Sequence, residues 1–135
     1  MDIESFDDLL RAARAQPEPQ RLLFVFAAAE LPEDSTPEQR ARFDAGEGGA
    51  LVPLMSVDKD PGELADFAGL VEETRQFFPG DWTMVFVAGL SGRGGRPPSA
   101  EEADRSLQRM IEAVKTGAFG ACIPFDRRGR PVQFG

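Results

Sequence analysis

The sequence predicts an α/β domain built on a mostly parallel five-stranded sheet, and three observations predict it. Strand and helix patterns alternate along the chain, two of the strands are apolar on both faces, and the prolines inside strands fall only in the others. A helix between consecutive strands is the grammar of a right-handed crossover between parallel neighbours. A strand that is apolar throughout must be covered on both sides, as the strands of parallel sheets are. Proline cannot donate to a ladder and is tolerated mainly at edges and bulges, so the proline-bearing strands lie outermost. The order that satisfies all three is 2-1-3-4-5, with the fifth strand antiparallel in a C-terminal hairpin and helices on both faces. At 135 residues the chain has the size of one such domain, and residues 1–135 read as a single unit.

Each element has its own signal. Phe6, Leu9, Leu10 and Ala13 recur at helical spacing from about Ser5 to Ala15, and Pro17 and Pro19 end that helix. Arg21 to Ala29 is almost uniformly apolar and forms the first strand. Thr36-Pro37-Glu38-Gln39 supplies an N-cap, a proline at the first helical position and a reciprocal glutamine, so a short second helix follows and stops at Gly46, Gly48 and Gly49. Ala50 to Val57, with Pro53, is the second strand. Asp60-Pro61-Gly62-Glu63 repeats the capping pattern ahead of a third helix whose stripe is Leu64, Phe67, Ala68, Val71 and Phe78.

Thr83 to Leu90 is the third strand, again apolar on both faces. Ser99 and Glu102 have capping-box spacing ahead of a fourth helix that buries Ala103, Leu107, Met110, Ile111 and Val114 and ends at Gly117. Ala121 to Phe125 and Arg130 to Phe134 flank the turn Asp126-Arg127-Arg128-Gly129 and close the chain in a hairpin. Their prolines, Pro124 and Pro131, send both toward an edge.

Composition narrows the chemistry. There is no His and no Tyr, and Cys122 is the single cysteine, which removes Ser-His and Cys-His nucleophilic pairs, His-based metal sites and disulfides within the chain. No catalytic residue, no metal site and no cofactor is predicted. One free thiol, no charged-then-apolar leader and no long apolar run point to a cytoplasmic protein. A net charge of −8 opposes attraction to nucleic acid or to anionic membrane lipid. The charge is divided: residues 1–90 carry 7 basic and 18 acidic side chains, residues 91–135 carry 8 and 5. The two regions neutralise each other within the fold or across a dimer.

In a 2-1-3 order the crevice opens at the carboxyl ends of strands one and three. The loop after strand one brings Glu30, Glu33 and Asp34 there, and loop 89–99 brings Arg93 and Arg96 among Gly89, Gly92, Gly94 and Gly95. Gly92, Arg93, Gly94, Gly95, Arg96 and Ser99 form the candidate ligand-binding set. Glycine backbone N–H groups, two guanidiniums and the start of the fourth helix suit a phosphate or carboxylate. The competing reading is a solvated connection whose arginines pair with Glu30, Glu33 or Asp34. The spacing matches neither dinucleotide nor phosphate-loop fingerprints. Cys122 reads as a small apolar core group, Trp82 as a cover for one end of the sheet, Asp60 as a cap, and Glu4, Asp7 and Asp8 as a solvated acidic face.

Gln20-Arg21-Leu22-Leu23-Phe24-Val25-Phe26, Pro37-Glu38-Gln39-Arg40-Ala41-Arg42-Phe43 and Gly89-Leu90-Ser91-Gly92-Arg93-Gly94-Gly95-Arg96 carry a resemblance. Across its whole length the chain resembles a group of small bacterial proteins often labelled ribonucleotide reductase alpha subunit. The resemblance implies a small stand-alone bacterial cytoplasmic protein. Ribonucleotide reduction as that family performs it needs a thiyl-forming cysteine, a redox cysteine pair beside it and a ten-stranded barrel, and this chain offers one cysteine and about five strands. No catalytic residue carries over. Two functional readings follow: a non-enzymatic domain that binds a protein partner or forms a homodimer, and a module that binds a small anionic ligand at residues 89–99.

Overall fold

A computed structural model describes residues 3–30, 34–44, 50–78 and 80–132. The elements run α1 (Phe6–Arg14), β1 (Gln20–Glu30), α2 (Pro37–Asp44), β2 (Ala50–Lys59), a 3-10 turn (Pro61–Glu63), α3 (Phe67–Phe77), β3 (Met84–Ser91), α4 (Ala100–Thr116) and β4 (Ile123–Asp126). Local chemistry accounts for their starts. Ser5, Asp66 and Ser99 accept the N–H of Asp8, Gly69 and Glu102. Thr36 and Gln39 bond reciprocally at 2.9 and 3.1 Å, the capping box read from the sequence. Asp60 and Glu63 also form a capping box, but it closes the 3-10 turn, and α3 starts four residues after Glu63 under its own cap.

The sheet corrects the predicted architecture. Among the described residues it has four strands in the order β2-β1-β3-β4, and every neighbouring pair is antiparallel. The lateral order of these four is the one the prolines require; the strand directions and the strand number are not those predicted. For β1 and β2 the reason lies in α2. A crossover helix must cover the sheet with an apolar stripe, yet every residue of α2 whose burial is described is exposed. The chain therefore doubles back, and β2 pairs with β1 as the return arm of a long-looped hairpin, with a register shift between Phe26 and Ala27 opposite Pro53. Because β2 and β3 both run against β1, they are parallel to each other, and α3 crosses over β1 to join them.

Among the described residues the expected fifth strand is one bridge, Phe125 with Pro131, supported by Val132 N–H donating to the Pro124 carbonyl at 2.9 Å. Its end at Phe134, like the predicted helix stop at Gly46, Gly48 and Gly49, lies outside the described residues. The turn before it is as read, with Gly129 N–H donating to the Asp126 carbonyl at 3.1 Å.

The alternation along β1 organises two cores. Leu22, Phe24 and Phe26 face Phe6, Leu9 and Leu10 of α1, Phe67 and Leu70 of α3, and Trp82. Leu23, Val25 and Ala27 face Ala103, Leu107, Met110 and Val114 of α4. Phe6 is the hub of the first core, with ring centroids 5.9, 5.4 and 5.7 Å from Phe24, Phe67 and Phe125. An antiparallel sheet between two helical layers buries its central strand on both faces as completely as a parallel one does. Among the described residues no helix is long and apolar enough to cross a membrane.

Candidate functional site

The antiparallel sheet separates the two loops that the parallel order places together. Glu30 pairs with Ala50 at one end of β1, while Ser91 pairs with Gln20 at the other, so the loops lie on the order of 30 Å apart at strand rise. The predicted crevice between them does not form. Asp34 is exposed, and Glu33 lies outside the described residues.

The Gly/Arg loop is a tight reverse turn. Arg93 and Arg96 form an antiparallel bridge with two N–H to carbonyl bonds of 3.0 Å, and Gly94 and Gly95 between them have φ of 61° and 79°. Two successive positive φ values mark the hairpin turn that glycine pairs favour. Its remaining donors are largely engaged. Gly92 N–H donates to the Pro19 carbonyl at 2.8 Å, and Gly95 N–H donates to the Glu18 carboxylate at 2.8 Å. Ser99 is the N-cap of α4. Both arginines are exposed, and among the described residues neither pairs with a carboxylate.

A different region combines concavity with unsatisfied apolar surface. Along α3, Leu70, Glu73, Thr74 and Phe77 recur at i, i+3, i+4 and i+7, so they share one face. Along β2, Met55, Val57 and Lys59 alternate and point to the same side of the sheet. The two faces enclose a cleft of about 420 Å³ at the sheet's edge. Its floor is apolar, the Lys59 ammonium is bonded to the Glu73 carboxylate at one wall, and Phe77 stands at the rim with 72% of its surface exposed. Thr74 is buried and fully occupied, donating to the Val71 carbonyl at 2.6 Å and accepting Trp82 Nε1–H at 3.3 Å. β2 itself is unlike the central strands: Leu51, Val52, Leu54, Met55 and Val57 are all only half-buried. No described strand pairs with its outer edge.

Sequence reasoning placed β2 at an edge through Pro53 but missed Phe77, which falls outside the predicted helical stripe. The adjacent pair Phe77-Phe78 held the available signal, because two successive helical residues cannot both face one core.

Other singled-out residues have structural roles. Trp82 is buried against Phe26 and Phe67, and the Arg127 guanidinium lies 4.5 Å from its ring centroid while donating to its carbonyl at 2.9 Å. Asp58 pairs with Arg21 at 2.6 Å. Asp7 is not part of a free acidic face, since it accepts Phe67 N–H at 3.0 Å. Cys122 is half-buried against the α4 core, where burial pushes its thiol pKa up. Beyond Val87, paired with Ile123, β3 has no β4 partner, and clefts of about 310 and 320 Å³ open on the two faces beside Ala88, Gly89 and Cys122. No protein family matches the chain, and neither a curated protein nor a solved structure matches it.

Proposed function

We propose that this chain is a non-enzymatic binding domain that holds a protein partner against β2 and α3. The observation that carries the reading is the half-buried apolar edge strand beside the exposed Phe77 ring. A soluble fold normally shields such an edge with charge, proline or a covering element, and an exposed aromatic next to one marks an interaction surface. Here Pro53 interrupts β2 near one end, while Leu54, Met55 and Val57 are only half-buried. The reading suits a composition without His or Tyr, and the single thiol is in keeping with the cytoplasm. The Gly/Arg turn does not enter it, because its backbone donors at Gly92 and Gly95 already have partners.

The test compares capture of proteins from a bacterial lysate by the native chain and by Phe77→Ser and Val57→Lys variants of matched stability. Proteins held by the native chain and lost from both variants are expected. An identical captured set, or none from the native chain, overturns the reading.

A further inference from the structure

We infer that a short extended peptide, with an acidic residue beside an apolar one, pairs with the open stretch of β3 at Gly89 and places those two side chains in the clefts on opposite faces of the sheet. The site lies across the sheet from β2 and goes beyond the partner surface described above.

Two sets of bonds fix where the Gly89 backbone points. Gly92 N–H donates to the Pro19 carbonyl, and the register between β1 and β3 runs unbroken from Ser91 to Met84, so Leu90, Ala88 and Phe86 direct their backbone groups toward β1. Gly89, Val87 and Val85, which alternate with them, direct theirs the other way. β4 agrees from its own side. The Pro124 carbonyl accepts Val132 N–H and Asp126 N–H donates to the Arg130 carbonyl, which leaves Ile123 and Phe125 facing Val87 and Val85. Gly89 is next in that row. The residue in line to face it is Ala121, but Cys122 N–H donates to the Phe119 carbonyl and the chain turns away. Among the described residues nothing bonds to the outward N–H and C=O of Gly89, which is exposed. Both groups of one residue aimed the same way suit the C=O and N–H of a single residue in another extended chain.

The clefts set the phase of that chain. Val85 and Val87 pack in the core on the α1 side, and Phe86, Ala88 and Leu90 in the core on the α4 side. A residue opposite Gly89 therefore points to the α1 side and its neighbours to the α4 side. On the α1 side it meets a cleft of about 310 Å³ walled by Leu9, Ala13, Leu22, Val87 and Ile123. Glycine keeps that cleft open. A Cβ at Gly89 meets only Gln20 Oε1, at 3.5 Å, and φ there is not positive, so the fold itself makes no demand for glycine.

Charge selects the neighbouring side chain. On the α4 side the cleft of about 320 Å³ has an apolar floor of Leu23, Leu90 and Met110 and a wall of Ser106 and Arg109. Among the described residues Arg109 is the only charged one lining either cleft, and its guanidinium pairs with no carboxylate. A carboxylate on the α4 side supplies the partner it lacks. A small carboxylate without a peptide backbone leaves the Gly89 edge and the α1-side cleft unfilled. The open stretch lies between Ile123 and the Arg93–Arg96 bridge and takes about three residues by strand rise.

The experiment follows amide NMR shifts of the isotope-labelled full chain as acetyl-Glu-Val-Glu-amide is added. Its central valine faces Gly89 whichever way the peptide runs. Shifts are expected at Gly89 and around Arg109. The same peptide N-methylated at valine is expected to lose about tenfold or more in affinity, whereas one N-methylated at the last glutamate, whose amide points away from β3, binds nearly as the parent does. Acetyl-Lys-Val-Lys-amide and glutarate are expected not to bind, and Arg109→Gln to weaken the probe several-fold. Gly89→Val fills the α1-side cleft and is expected to abolish binding with an unchanged urea midpoint, while Phe77→Ser, at the far edge, leaves binding as it is. No shift at Gly89, equal affinity of the two methylated peptides, or lysine peptide or glutarate binding as well as the probe overturns the inference. So does a folded Gly89→Val chain that binds normally, or loss of binding in Phe77→Ser.

Discussion

The Asp7 carboxylate in α1 accepts the N–H of Phe67, the first residue of α3, at 3.0 Å across sixty residues of sequence. A helix start leaves several N–H groups open, and here Asp66 closes the one on Gly69 while Asp7 closes the one on Phe67. The bond fixes α3 against α1 where the tilted rings of Phe6 and Phe67 pack in the core, so it aligns the wall of the β2 cleft as well as the core beneath it.

Asp7→Ala is therefore expected to destabilise the domain by about 1–2 kcal/mol, the range for a lost cap that leaves a partly buried donor unpaired. Asp7→Asn keeps an acceptor and is expected to cost less. Urea unfolding should show the midpoint falling with an unchanged slope. Equal losses for both variants would show that the charge, not the acceptor, matters.

Gly92 is required for a different reason. A Cβ there collides with the Arg96 carbonyl and meets the Pro19 carbonyl at 3.0 Å, both backbone atoms that cannot rotate away. Gly92→Ala is expected to cost roughly 1–3 kcal/mol, as overpacking against fixed atoms does. Gly94→Ala meets no neighbour within 4 Å and loses only through its positive φ, about 1–2 kcal/mol. Thermal unfolding of the two variants separates collision from backbone strain, and a fully stable Gly92→Ala would contradict the turn geometry.

Element positions were legible in this sequence and strand directions were not, and both facts have local causes. The caps at Thr36 and Ser99, the apolar runs of β1 and β3, and Pro53 and Pro124 at the edges all act within a few residues, where pattern is informative. Between β1 and β2, direction depends on whether the connection covers the sheet, whereas α4 covers the sheet and still joins the antiparallel pair β3 and β4. α2 carried that information, because Pro37 to Asp44 has a single large apolar residue and cannot serve as a crossover. The doubly apolar β1 could not discriminate, since α4 covers one of its faces and α1 with α3 the other. The misplaced crevice followed from the misread direction. At the Gly/Arg loop the glycines read in sequence as open N–H donors, whereas Arg93-Gly94-Gly95-Arg96 closes on itself as a turn.

Phe77→Ser is expected to leave stability within about 0.5 kcal/mol of the native chain, because the ring is 72% exposed and packs against little. That neutrality separates binding from folding at this site. By contrast Phe6→Ala, at the hub of the first core, should cost about 3–5 kcal/mol. Urea midpoints for the two variants measure both, and a large loss for Phe77→Ser would mean that the ring supports the fold.

Asp8 gives the acid side of the stability profile a testable sign. The Glu4 N–H at 3.1 Å, with the Arg11 guanidinium and the Ser5 side chain, holds its carboxyl below the ordinary aspartate value despite some desolvation. A group depressed in the folded state stabilises it above the unfolded value and loses that contribution as pH falls through the folded one. Asp8→Ala is expected to flatten the decline in stability on the acid side of the ordinary aspartate range. Urea midpoints measured through that range check it, and identical pH slopes for variant and native chain would refute it.

Cys122 titrates in the opposite direction. Burial against the α4 core disfavours its thiolate, so its pKa lies above that of a free thiol. Only the thiolate reacts with iodoacetamide, and alkylation at neutral pH is expected to be slower in the folded chain than in the urea-unfolded one. The folded rate should rise with pH over a range displaced upward from that of the unfolded chain. The same displacement means that the folded state binds its proton more tightly, so Cys122 withdraws stability as pH rises past the unfolded thiol's value and has no effect below it. Cys122→Ala removes that alkaline decline along with the reactive group, while the small cavity it leaves at a half-buried position should cost under about 1 kcal/mol. Folded and unfolded chains alkylating at equal rates across the pH range would show that the thiol is free of the core and that the clefts beside Gly89 admit the reagent unhindered.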